Sequence, residues 1–305
     1  MNNIKYINCF GTSYTAGGGY EFDTSGKGSM LYDLYNHLNE ELSMSNFSWP
    51  GQLSKLLGTH KIKVNNYAVN GYGNEKMYRD VYDIINSPSF ERNEHLFILE
   101  FSGVGRQEIY FTPFNDYIIF NFQISDPFNP ESSDIAHRYH YDDSKKKNTL
   151  QKNKKIIGDY HKLVYDNKER HKLLERNNNF FVRYLDSLDI NYLFGQHPYY
   201  SIKSYNNKFD FDHINRHSIN FISQNTDDNI FGLDTYYRNE GLTITSETFG
   251  VINDHHASLL GNKNIAINVF NSLIDYEYIK DTKVSLLPLD TQFCNPLKYD
   301  DKLKI

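Results

Sequence analysis

The sequence predicts a single three-layer α/β/α domain, with helices covering both faces of a parallel sheet, and three observations predict it. Short apolar runs alternate along the chain with amphipathic ones, the pattern of a parallel sheet under helices. The first run, Ile4 to Phe10, passes directly into a small-residue turn, Gly11-Thr12-Ser13. Such a turn at the carboxyl edge of a sheet is where open α/β folds place their ligands. Finally, 305 residues at 39% hydrophobic and 23% charged are enough for a substantial buried core.

Taken in order, the expected strands are Ile4–Phe10, Lys63–Val69, His95–Ser102 and Asn191–Gln196. A first helix is expected within Ser29–Leu42. The second follows Ser48-Trp49-Pro50, because proline suits a first helical turn. Leu53, Leu56 and Leu57 form its apolar stripe and Gly58 ends it. Asn74–Asn86 carries Met77, Val81, Ile84 and Ile85 on one face. A long helical pattern runs from about Leu150 to Leu188, with a break expected near Asn177-Asn178-Asn179. The last, Ala257–Leu273, carries Leu260, Ala266, Val269, Phe270 and Leu273. Two stretches, Tyr110–Asp143 and His197–Gly250, fit no alternation. They read as insertions at about 110–143 and 197–250 within one domain spanning 1–289, and 290–305 as a tail.

Bulk properties exclude several classes. A net charge of −6 gives no support for nucleic-acid binding, which needs a basic face. The lysines around Lys145-Lys146-Lys147 read as the solvated start of a helix. Cys9 and Cys294 are too few for a disulfide framework, and Cys9 reads as a small core residue. Met1-Asn2-Asn3-Ile4-Lys5 is no secretory signal and no apolar run reaches spanning length, so the expectation is a soluble protein without a membrane partner, cytoplasmic unless exported by a route that leaves no mark. The 25 Tyr and 21 Phe beside one Trp would suit a sugar-binding cleft, but the favoured reading is a compositional bias in which Asn, Lys, Ile and Tyr rise together.

Four local signals carry the chemistry. They are Gly11-Thr12-Ser13-Tyr14-Thr15-Ala16-Gly17, Asn66-Tyr67-Ala68-Val69-Asn70-Gly71-Tyr72-Gly73-Asn74, Phe101-Ser102-Gly103-Val104-Gly105-Arg106-Gln107-Glu108, and Asn253-Asp254-His255-His256-Ala257-Ser258-Leu259-Leu260-Gly261. In this order and behind these strands they resemble the SGNH (GDSL-type) hydrolases, a family of esterases, lipases and carbohydrate deacetylases. The resemblance spans residues 10 to 261 and implies a flavodoxin-like parallel sheet and ester hydrolysis through an acyl-enzyme, with no cofactor. It implies Ser13 as nucleophile, His256 as its base and Asp254 as the acid that orients the imidazole. The backbone N–H groups of Ser13 and Gly71 would hold the oxyanion. Asn74, Ser102 and Arg106 complete the expected oxyanion and substrate-binding set. The substrate expected is a small-molecule or carbohydrate ester, most simply an acetylated sugar.

Departures from the family leave alternatives open. The usual Gly-Asp-Ser is Gly-Thr-Ser, and no asparagine stands between Phe101 and Glu108. Ser102 or Arg106 must replace that oxyanion donor, or the hole has two donors only. His255 is an alternative base, and a spacing of three before His256 lands on Asn253, which cannot carry the charge. An O-acyltransferase shares the same acyl-enzyme, and a catalytically silent glycan-binding or structural module is the rival outside enzymes. Ser25-Gly26-Lys27-Gly28-Ser29 is not a phosphate loop, because Glu21 stands where its first glycine belongs. Asp210, Asp212, His213 and His217, like His137 and His140, sit on no firm helix, and no metal site is expected from them.

Overall fold

The computed structural model describes residues 4–16, 48–69, 73–101, 106–112, 115–121, 167–196 and 259–285, with the helical positions 152, 155 and 159. Its elements in order are β1 (Tyr6–Phe10), α1 (Ser13–Ala16), α2 (Trp49–Leu56), β2 (Lys63–Asn66), α3 (Asn74–Ile85), β3 (His95–Phe101), β4 (Arg106–Phe111), β5 (Asp116–Asn121), α4 (Asn167–Ser187), β6 (Asn191–Gln196) and α5 (Leu259–Asp275). The helix expected within Ser29–Leu42 and the stretch 197–250 lie outside the described residues.

β1, β2, β3 and β6 form a parallel sheet in the order β2-β1-β3-β6, so the fold is α/β. Ile7 stands opposite Val64 on one side and Leu96 on the other, and Leu99 opposite Phe194. Pleating sends alternate residues of β3 into two apolar clusters. Leu96 and Ile98 join Ile7, Cys9, Trp49, Leu53 and Leu57, together with Ile265, Val269, Phe270 and Leu273 of α5. Phe97, Leu99 and Phe101 join Phe10, with Met77 and Val81 of α3 and Phe181, Val182 and Leu185 of α4. Each fully buried leucine or phenylalanine contributes about 1.5–3 kcal/mol to holding these faces together. Cys9 is a free, wholly buried thiol, and burial pushes its pKa up.

Local signals mark α2 as read from sequence. Ser48 caps it, its hydroxyl accepting the Gly51 N–H at 3.4 Å, and Pro50 sits in the first turn. Two expectations are corrected. α4 runs unbroken through Asn177-Asn178-Asn179, because Asn178 is buried and its side-chain oxygen accepts from Tyr78 Oη and, at 3.4 Å, from Asn74 Nδ2. Those tertiary bonds outweigh the poor helix propensity of asparagine. The aromatic stretch expected as a loop from Tyr110 opens instead with an antiparallel hairpin, β4 with β5, in which Phe111 pairs with Asp116. Asn115 adopts the left-handed conformation (φ 52°) that its turn needs. No helix among the described residues is long and apolar enough to cross a membrane.

Candidate functional site

Chain order reverses between β1 and β3, with β2 to one side and β6 to the other. The crevice beyond the carboxyl ends of two such strands is the usual ligand position of an open α/β sheet. The turn Gly11–Ala16 after β1, which is the first sequence signal, meets the end of β3 there, at Glu100-Phe101.

Glu100 falls by alternation on the Leu96–Ile98 side, where a third apolar residue would ordinarily stand, and it is 2% exposed. Its carboxylate turns into the turn after β1. Oε1 accepts the Thr12 hydroxyl at 2.8 Å; Oε2 accepts the Thr12 and Thr15 N–H groups, each at 3.2 Å, and the Thr15 hydroxyl. Thr12 and Thr15 are themselves buried. Gly11 makes this approach possible: a Cβ there would stand 2.7 Å from both Glu100 Cβ and Thr15 Oγ1.

The second signal reaches the same turn through its first residue. Asn66, ending β2, donates from Nδ2 to the Thr15 carbonyl at 3.0 Å. Trp49 Nε1–H donates to Thr15 Oγ1 at 3.1 Å, and the Trp49 N–H donates to Asn262 Oδ1 of α5 at 3.0 Å. Thus Asn262, near the start of α5, is tied through the backbone and indole N–H groups of Trp49 to the turn that carries Ser13. Ser13 opens α1, with its backbone described and its side chain not. Arg106 begins β4, paired with Asn121, and its side chain too lies outside the described residues. So do Gly71, Ser102, Asp254, His256 and the alternatives Asn253 and His255. Asn74 is described: 2% exposed, it bonds inward to Asn178.

Sequence reasoning missed Glu100, Thr15, Trp49 and Asn262 as parts of this site. The available signal was a lone acid in the apolar run Leu96-Phe97-Ile98-Leu99-Glu100-Phe101, since a charge in a buried strand requires partners.

A second polar knot joins α3, α4 and the hairpin. Arg79 pairs with Glu108, and its guanidinium lies 4.1 Å from the centre of the Tyr117 ring. Arg170 pairs with Glu75 at 3.2 Å. Glu108 Oε1, Glu75 Oε2 and Arg170 Nε remain buried without a hydrogen-bond partner. Burial raises the Glu108 pKa despite the opposing pull of Arg79. No group of three His, Cys, Asp or Glu placed to hold a metal ion occurs among the described residues. No family model, curated protein or solved structure matches the chain.

Proposed function

We propose that this chain is a serine hydrolase with a three-layer, SGNH-like architecture, acting on short acyl esters and most simply on acetyl groups carried by a carbohydrate. The observation that carries the reading is the turn Gly11–Ala16 at the β1/β3 reversal, held by side chains from β3, β2 and α2. A nucleophile needs such a constrained position at the strand ends. Ser13 attacks the ester carbonyl as His256 takes its proton; Asp254 orients the imidazole and stabilises its charged form. The N–H groups of Ser13 and Gly71 receive the oxyanion, the alcohol leaves with the proton returned by His256, and water repeats the sequence on the acyl-enzyme. Tyr110 and Tyr117, opposite one another and exposed on the hairpin that Arg106 begins, favour a sugar, whose flat faces suit aromatic rings with polar tips.

Labelling with a fluorophosphonate probe tests the proposal. Covalent modification of the wild type that disappears in Ser13→Ala is the expected result. A folded wild-type protein that takes no label and hydrolyses no short activated ester would end the reading.

A further inference from the structure

We propose that Glu100 is the positioning residue of the Ser13 turn: its buried carboxylate holds Thr12 and Thr15 on either side of Ser13 and thereby sets the backbone from which the serine acts. The inference rests on the serine-hydrolase reading for its kinetic consequence, though not for its structural one.

Burying a carboxyl group is costly, and the pleat of β3 would accept an apolar residue at position 100. Among the described residues Glu100 receives two backbone N–H groups and two hydroxyls, all from the turn after β1. They come from the residue before Ser13 and from the residue two after it, so the carboxylate brackets the nucleophile in sequence. The bonding at Thr15 is directional. The indole N–H of Trp49 can only donate, so Thr15 Oγ1 accepts it and directs its own proton to Glu100. Gly11 leaves room for this arrangement and for no Cβ. Glu100 acts through Thr12 and Thr15 and is therefore a positioning residue, distinct from the groups that meet substrate.

Displacing a reacting group by about 1 Å can cost on the order of a hundredfold in rate. Glu100→Gln keeps the shape but turns an NH2 group towards donors. We expect kcat on a short activated ester to fall about 10–100-fold with KM changed less than about twofold. Amide exchange at Thr12 and Thr15 should accelerate while exchange in the centre of β3 does not. Thr15→Ser, which keeps the hydroxyl, should retain most activity, and Thr15→Val should reproduce the loss. Combining Thr15→Val with Glu100→Gln should cost less than the product of the single effects, since the two share one interaction. A folded Glu100→Gln protein with wild-type kcat and unchanged Thr12 and Thr15 exchange would overturn the proposal. So would a loss of activity that matches only the loss of folded protein. Should Glu100→Gln fail to fold, equal kcat in Thr15→Ser and Thr15→Val overturns it. If the wild type takes no fluorophosphonate at Ser13, the hydrolase reading fails, and exchange at Thr12 and Thr15 still decides whether Glu100 holds the turn.

Discussion

Glu100 and Glu108 are both carboxylates withdrawn from water, but they are satisfied by groups of different kinds. Around Glu100 the described partners include the backbone amides and the Cβ hydroxyls of Thr12 and Thr15, and both oxygens are engaged. Around Glu108 the partner is the guanidinium of Arg79, on a long side chain whose exposure is 37% against 1% for the acid. One Glu108 oxygen has no partner, and neighbouring Glu75 and Arg170 each leave an atom unsatisfied. Short fixed dipoles bind a charge and set a geometry together, because nothing has to reorganise. A long-chain ion pair joins two elements but leaves their spacing adjustable. The first region is therefore built to hold a turn in one geometry, and the second to fasten the β4–β5 hairpin to α3.

The sharpest way to break this comparison is to remove the chemistry from the first region. Ser13→Ala should abolish ester hydrolysis, on the order of a millionfold in turnover, with an unchanged melt. His256→Ala should match it, His255→Ala should be mild, and Asp254→Asn should keep roughly 10–100-fold more activity than Ser13→Ala, because the acid orients without taking the proton. Turnover of the purified variants on a short activated ester checks all four. A more damaging His255→Ala would move the base by one residue.

Next in size is Gly11→Ala, which forces a methyl against Glu100 and Thr15. Overpacking of this sort costs about 1–3 kcal/mol, read from denaturant midpoints, and turnover should fall with it. An equally stable, equally active variant would show that the turn tolerates movement. Trp49→Phe removes the indole donor to Thr15 while keeping an aromatic body, for a loss of about 1 kcal/mol from the hydrogen bond, measured the same way.

The smallest effect belongs to the second region. Burial holds the Glu108 pKa above the ordinary 4.5, so the folded state binds its proton more tightly than the unfolded chain does. Its penalty is absent below about pH 4.5 and grows as pH rises through the folded value. Glu108→Gln should thus melt within a few degrees of wild type, gaining on it across that rise. A large loss of stability at neutral pH would mean that the Arg79 pair anchors the hairpin far more strongly than its geometry implies.

Apolar alternation and helix punctuation placed β1, β3, β6, α2 and α3 from sequence, since burial of one face and the capping of chain ends are local requirements written in residue order. The β4–β5 hairpin escaped because its aromatic residues break the alternation that marks a half-buried strand, and the continuity of α4 escaped because Asn178 is satisfied by α3. The sequence by itself determined that a serine stands in a tight turn after the first strand of an α/β protein. Only the tertiary structure decided what surrounds that turn. Glu100 lies 88 positions from Thr12, and Asn262 lies 213 from Trp49. A buried charge declares in sequence that it needs partners, but which donors meet it depends on the order in which strands are laid side by side.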